Sequence, residues 1–260
     1  MSNLSNDSAI RNPKSEIPTR RTDDQAAALG HPSYVWRAGQ ERRLALISQW
    51  SSIKDADVLV DGAGIGMYSR HLTDNGARVT SLDIDHRSMV AAGKHLDKCL
   101  VGACEALPFA NASFDTVLSH EVLEHVEDDA LSFAEIARVL RPGGRLVLFL
   151  PNRLYPFETH GHYWRGEYHF GNTPFINWLP DRWRNQLAPH VRAYTSADLH
   201  HLLAPLPLNV IHHRQIYPGY DNIIYRFPRT GRFIRGTTYA LENTPLRAFG
   251  ISHFLVADRT

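Results

Sequence analysis

The chain reads as an α/β protein built on a doubly wound, mostly parallel sheet of seven strands, with lid segments inserted among its later elements. Three observations predict this. The first is Val58-Leu59-Val60, a short apolar run with the β-branched bias of a buried strand. It runs into Asp61-Gly62-Ala63-Gly64-Ile65-Gly66 and then into Met67–Leu72, which reads as a helix. The second is the stretch after that helix: Gly76 closes it, and Ala77–Leu82 forms another strand ending at Asp83. Strand, glycine loop, helix, strand and acid together make one half of a nucleotide-binding sheet. Glycines let the backbone approach a ligand at the helix start, and an acid on the neighbouring strand tip can accept both hydroxyls of a ribose. Gly62, Gly64, Gly66 and Asp83 are therefore candidate cofactor-binding residues. The third is the continued alternation of strand and helix as far as Leu150.

Composition narrows the function. With 260 residues, 43% of them hydrophobic, the chain can bury one large core, or one core and a small appendage. A net charge of +1 provides no bulk attraction to nucleic acid or an anionic membrane, so a small-molecule substrate is expected. The two cysteines, Cys99 and Cys104, lie in or beside one predicted strand and suggest no disulfide framework, which points to a reducing cytoplasm. No apolar run reaches the length of a membrane span, and the N-terminus lacks a signal-type apolar region.

Taken in order, residues 1–30 are polar without a periodic apolar face and are expected to be a disordered tail, leaving 31–260 as one domain. Between Ser33 and Trp50, Val35, Leu44, Ile47 and Trp50 lie apart from the charges Arg37, Glu41, Arg42 and Arg43, as in an amphipathic helix. His86–Leu96 reads as helix and Lys98–Val101 as the third strand. The loop Gly102–Phe109 leads to a fourth strand, Ser113–Leu118, with Asp115 ending the turn into it. Glu127–Leu140 is a helix stopped by Arg141-Pro142-Gly143-Gly144, and Arg145–Leu150 is the fifth strand. Residues 152–194 are aromatic and broken by proline and glycine, with a helix near Asp181–Leu187. They are expected to be a substrate lid at the open end of the strands, an interfacial patch or a satellite core. Thr195–Leu203 is a helix capped by Thr195 or Ser196. Leu208–Tyr217 is the sixth strand, 218–249 a second irregular lid, and Ile251–Ala257 the last strand.

The spacing Gly62-x-Gly64-x-Gly66 resembles that of the class I S-adenosylmethionine-dependent methyltransferases. So do the loop Gly102-Ala103-Cys104-Glu105-Ala106-Leu107-Pro108-Phe109 with Phe114-Asp115-x-Val117, and Leu140-Arg141-Pro142-Gly143-Gly144-x-Leu146. The resemblance runs from about residue 34 to 152. It implies a Rossmann-like fold, S-adenosyl-L-methionine as cofactor, and a last strand inserted antiparallel between the fifth and sixth. It also implies that Cys104 and Glu105 flank the adenine and that His120 lines the sulfonium end. Two positions depart from the family: Val60 and Ala103 stand where it carries acids. Asp61 lies one residue after the first of these, so strand alternation turns its carboxylate to the other face.

After the fourth strand come Glu121, Glu124 and His125, spaced to share one face of a helix. Two carboxylates and an imidazole form a ligand set for a divalent cation; the bland alternative is a capped loop paired with arginines. The Glu-x-x-Glu-His pattern resembles ubiquinone-pathway O-methyltransferases and small-RNA 2′-O-methyltransferases, which implies His190 as the fourth ligand. His160 and His162 compete with it as ligands or, with His125, as catalytic bases. The expected function is methyl transfer to a hydroxyl on a glycolipid, quinone-like or secondary-metabolite scaffold. The alternatives are a nucleic-acid methyltransferase and a non-catalytic cofactor-binding protein of the same fold. A nicotinamide oxidoreductase would want a different glycine spacing and an assisting lysine, and no lysine follows Lys98. Peripheral membrane contact is conceivable through Trp164, Trp178 and Trp183, but the sequence reads no strongly amphipathic helix to support it.

Overall fold

Apolar residues that alternate along each central strand divide this chain into two layers of helices. The computed structural model describes residues 35–260, so the tail expected over 1–30 lies outside the described residues. In chain order the elements begin with α1 (Ala38–Trp50), β1 (Asp57–Asp61), α2 (Met67–Asp74), β2 (Arg78–Asp83), α3 (His86–Ala92) and β3 (Cys99–Val101). Next come β4 (Phe114–His120), α4 (Asp129–Val139) and the long β5 (Leu140–Pro151). Beyond β5 lie four short strands, β6 (Phe157–Glu158), β7 (His162–Trp164), β8 (Glu167–His169) and β9 (Thr173–Pro174), followed by α5 (Asp181–Leu187). The chain closes with α6 (Ser196–Leu203), β10 (Leu208–Ile216), α7 (Asp221–Arg226), α8 (Pro228–Leu241) and β11 (Ser252–Arg259).

Seven strands form one sheet in the order β10-β11-β5-β4-β1-β2-β3. The five from β3 to β5 run parallel, and β11 pairs antiparallel with both β5 and β10. The chain moves from β1 outward through β2 and β3 on one side, then returns to β4 on the other. A crevice therefore opens beyond the carboxyl ends of β1 and β4. Val58, Val60, Leu118, Val147, Phe149 and Phe254 face one layer, against Leu44 and Ile47 of α1 and Leu72 of α2. Their neighbours Leu59, Val117, Leu146, Leu148 and Leu255 face the other, against Phe133 and Ile136 of α4 and Leu199 and Leu203 of α6. Each fully buried side chain of this size contributes about 1.5–3 kcal/mol of transfer free energy. A one-residue slip would therefore expose a whole row.

Three local expectations need correction. The first described helix begins at Ala38, leaving Val35 outside it. The fifth strand begins at Leu140, not Arg145: Phe114 pairs with Leu140 and Thr116 with Arg145, so the Arg-Pro-Gly-Gly segment bulges out of a strand that has already started. Gly143 takes the positive φ, 76°, that this excursion needs. Arg141 pins the bulge, donating to Asp115 Oδ1 at 2.6 Å and Asp57 Oδ2 at 3.0 Å, which makes Asp115 structural as expected.

The third correction is larger. Residues 218–249, read as irregular, contain the α7–α8 hairpin. Glycines and β-branched residues lower the intrinsic helix propensity of this stretch, but tertiary anchors override it. A Cβ on Gly231 would stand 2.7 Å from Ile224 Cα, so only glycine lets α8 approach α7 this closely. At the end of α8, Glu242 is 3% exposed and accepts from Arg42 at 2.5 Å, Arg214 at 3.3 Å and the Tyr217 amide at 2.8 Å. That carboxylate ties the hairpin to both α1 and β10.

Candidate active site

β1 ends at Asp61, and the loop of Gly62, Gly64 and Gly66 turns the chain into α2 with φ angles of 66°, 55° and 80°. A Cβ on Gly62 would lie 2.1 Å from Val122 Cγ2, so the glycine loop packs directly on the segment after β4. The Gly64 amide donates to Asp83 Oδ2 at 2.7 Å, and the Asp85 amide donates to Oδ1 at 2.8 Å. The acid on the tip of β2 thus positions the glycine loop. Its carboxylate oxygens each have more than one lone pair, so it can hold the loop and also accept from a ligand hydroxyl.

Strand parity separates Val60 from Asp61. Val60 packs in the α1–α2 layer, whereas Asp61 is fully buried on the opposite face, where Cys104 Sγ donates to its Oδ1 at 2.8 Å. Its Oδ2 is buried with no hydrogen-bond partner among the described residues. Burial raises Asp61 to about 7; Asp83 and Glu105 add to the rise and the Cys104 hydrogen bond opposes it. Sequence reasoning set this residue aside because strand alternation turns it to the face opposite the family's acid; its pairing with Cys104 comes from the fold. Its folded pKa lies above the unfolded value, so the contribution to stability is complete below about pH 4 and is lost as pH rises through about 7. Asp61→Asn keeps an acceptor for Cys104 without the charge. It is expected to stabilise the fold at about pH 8 by up to about 3 kcal/mol, and little at about pH 4. Thermal unfolding at both values checks this, and a parental melting temperature at the higher pH would contradict it. Cys104 therefore turns its thiol to Asp61, while Glu105 Oε1 accepts from the Glu127 amide at 2.8 Å and closes the loop toward α4.

At the end of β4, His120 stands among α1, α2 and β5. Arg43 Nη1 meets His120 Nε2 at 2.9 Å, and the Tyr68 hydroxyl lies 3.3 Å from the same nitrogen. Because arginine only donates, that nitrogen accepts and the ring is neutral; burial, then the Arg43 charge, brings its pKa down to about 3. Arg43 also reaches Ser252 Oγ at 2.9 Å and Glu121 Oε1 at 3.4 Å, and Ser252 donates to the same Glu121 oxygen at 2.7 Å. Sequence reading put Arg43 on a charged helix face away from the core. Only the docking of α1 across the strand ends reveals its inward role.

The segment carrying Glu121, Glu124 and His125 is a turn, not the helix face expected. The Glu121 amide extends the pairing with β5, donating to Phe149 O at 3.0 Å, and Glu121 then turns the chain with a φ of 56°. The acids converge nonetheless. Glu124 is 1% exposed, and neither of its carboxylate oxygens has a hydrogen-bond partner among the described residues. Glu124 Oε1 lies 3.7 Å from His160 Nε2 and 4.0 Å from His125 Nε2, while Glu121 Oε2 lies 4.0 Å from His160 Nε2. Burial, reinforced by the Glu121 charge, raises the Glu124 pKa well above the usual carboxylate range. Burial acts the same way on Glu121, but Arg43, His120 and His160 outweigh it and lower its pKa.

Both imidazoles of this cluster are held from behind. His160 Nδ1 lies 3.1 Å from Glu158 Oε1, whose partner oxygen accepts from Arg184 Nη2 at 3.1 Å. His125 Nδ1 lies 3.2 Å from the His190 carbonyl. Glu124, His125 and His160 bring one ligand atom each within 4.8 Å of one another. An imidazole whose Nδ1–H is taken by a carboxylate or carbonyl presents Nε2 as a metal ligand. With the partnerless Glu124 oxygens, these residues fit a divalent cation.

His190 is placed otherwise than expected. Its Nε2 lies 3.2 Å from the His160 carbonyl, and its ring stands edge-on to Tyr163 and Tyr168, so it supplies a main-chain oxygen where an imidazole ligand was expected. His162 is not part of the cluster either: its Nδ1 lies 3.0 Å from Thr173 Oγ1, and its ring stacks on His169 across the β7–β8 hairpin. A cavity of about 550 Å³ borders Glu124, His125 and His190. A second, of about 520 Å³, is walled by Arg42 and Arg43 of α1, by Tyr155, and by Tyr217, Tyr220 and Tyr239. Arg43 links that cavity to Glu121.

Comparison with known proteins gives this geometry a context. Residues 59–148 match the family described as "Methyltransferase domain". The chain is 35% identical over 127 residues to the malonyl acyl-carrier-protein O-methyltransferase of Erwinia billingiae, covering 47% of this chain and 51% of that one. It is 33% identical over 156 residues to the ubiquinone biosynthesis O-methyltransferase of Methylocella silvestris, covering 55% and 57%. The chain thus spans about half the length of these curated relatives. The crystal structure of an S-adenosylmethionine-dependent methyltransferase from Mesorhizobium loti superposes with a TM-score of 0.61 at 18% identity, over 85% of this chain and 98% of that one. That last likeness is one of fold.

Proposed function

We propose, from the premise that this chain is a class I S-adenosylmethionine-dependent methyltransferase by family and fold, that it methylates a hydroxyl of a small apolar acceptor. The observation that carries the acceptor half of this reading is the cluster of Glu124, His125 and His160, beside Glu121 and with both imidazoles oriented from behind. These three residues would hold a divalent cation, which when bound supplies Lewis acidity toward an acceptor hydroxyl. The sulfonium cofactor brings the activated methyl group itself.

The residues of the chain align, orient and exclude water. Gly62, Gly64 and Gly66 bring backbone to the adenosyl end, and Asp83 grips the ribose while bonded to the Gly64 amide. Arg43 keeps Glu121 ionised and ties it to Ser252. The cavity of about 520 Å³ draws its walls from both inserted segments, Tyr155 from one and Tyr220 and Tyr239 from the other, which supports their reading as substrate lids. Tyrosine faces suit a ring-bearing acceptor, and a quinone-like scaffold accords with the ubiquinone biosynthesis relative.

Calorimetric titration with S-adenosylhomocysteine tests the cofactor half. The parent protein is expected to bind, and Asp83→Ala to bind at least about tenfold more weakly, since it loses charge-assisted hydrogen bonds. Tight NAD binding without any response to S-adenosylhomocysteine would replace this reading with another.

A further inference from the structure

The outer face of the α7–α8 hairpin is both cationic and aromatic. Between Asn222 and Leu241 the chain carries four arginines and no acid or lysine, although its overall net charge is only +1. Arg226, Arg229 and Arg232 are exposed. Arg226 lies over the Phe227 ring at 5.5 Å and Arg232 donates to the Pro228 carbonyl at 3.0 Å, but no carboxylate pairs with any of the three among the described residues. Beside them, Tyr225, Phe233 and Phe227 stand 90%, 74% and 56% exposed. Along α8, Arg229, Phe233 and Thr237 follow at i, i+4 on the water side, while Gly231, Ile234 and Thr238 turn inward.

Three large rings left in water on one short hairpin form the kind of apolar patch that marks an interaction surface. Cations flanking those rings give the pattern of a helix lying in a lipid interface, with rings at the acyl boundary and guanidinium groups on phosphates. Reading the sequence alone placed membrane contact on Trp164, Trp178 and Trp183 and found no strongly amphipathic helix to support it; those rings are exposed, and the hairpin adds exposed rings flanked by arginines. No described helix is long and apolar enough to cross a membrane. The hairpin is held firmly by Glu242 and by the packing of Gly231 on Ile224. It also walls the acceptor cavity through Tyr220, Ile223 and Tyr239.

We propose that the α7–α8 hairpin docks this protein on an anionic lipid surface. The cavity it walls then opens beside the bilayer, a consequence that rests on the acceptor reading above.

The test is co-sedimentation of the full chain with phosphatidylcholine vesicles, with and without phosphatidylglycerol, at low and high salt. Binding is expected only with the anionic lipid and is expected to weaken with salt. Arg229→Glu/Arg232→Glu is expected to lower partitioning at least about tenfold, and Phe233→Ser to lower it too, with parental melting temperatures. Equal binding to neutral vesicles, no binding to anionic ones, or unchanged partitioning of the charge-reversed variant would overturn the proposal. So would charge reversal that dissolves a dimer in sedimentation velocity, or releases an RNA oligonucleotide, in the absence of vesicle binding. S-adenosylhomocysteine titration of the same samples separates the two claims. Loss of cofactor binding with vesicle binding intact would sink the transferase reading alone, and the reverse would sink the docking alone.

Discussion

Glu124→Ala is expected to abolish divalent-cation binding and to slow methyl transfer about a thousandfold, leaving S-adenosylhomocysteine affinity near that of the parent. Lewis-acid stabilisation is worth several kcal/mol, and Glu124 is the carboxylate that lies within 4.0 Å of both imidazoles. Its carboxylate is buried without a hydrogen-bond partner among the described residues, an arrangement that carries a desolvation cost. The cost predicts a second readout. In the presence of a chelator, Glu124→Gln should melt no lower than the parent, because it relieves the repulsion with Glu121. With cation present, the parent should gain stability and the variant should not. Metal content after dialysis, turnover on a phenolic acceptor and the two melting curves settle the matter together. Equal turnover of parent and Glu124→Ala, with no retained cation in either, would make the cluster a structural one.

Arg184→Met should lower stability by about 3–5 kcal/mol, the cost of stranding one partner of a buried ion pair. Arg184 is 2% exposed and joins Glu158 Oε2 at 3.1 Å to the Val191 carbonyl at 2.6 Å. Without it, the Glu158 carboxylate, itself 2% exposed, loses its countercharge. For a chain of this size the melting temperature should fall by about 10 °C. Glu158→Gln/Arg184→Met removes both charges and should recover part of that loss, whereas a double variant no more stable than the single one would assign the effect to packing. The double variant should still bind metal about 10–100-fold more weakly, because Glu158 no longer fixes His160 from behind.

Local pattern was enough to read the layers of this fold. The uninterrupted apolar run Val58-Leu59-Val60 read as a strand buried on both faces, and the helix between strand and acid left few topologies that bury both faces of a parallel sheet. The glycine loop and Asp83 were legible for the same reason: their chemistry is carried by residues adjacent in sequence, within one strand–helix–strand unit. The α7–α8 hairpin was not, because its stability comes from Glu242 reaching Arg42 and Arg214, contacts invisible to a propensity scan.

The sequence by itself determined the doubly wound sheet, the glycine loop and the presence of acids and histidines beyond β4. Tertiary structure alone decided which of them meet. It chose His160 over His190 for the cluster, turned Arg43 inward onto Glu121, and paired Asp61 with Cys104. The physical reason is range. Alternation and turn chemistry act over a few residues, whereas a buried carboxylate takes its partners from whatever distant segment the packed core delivers to it.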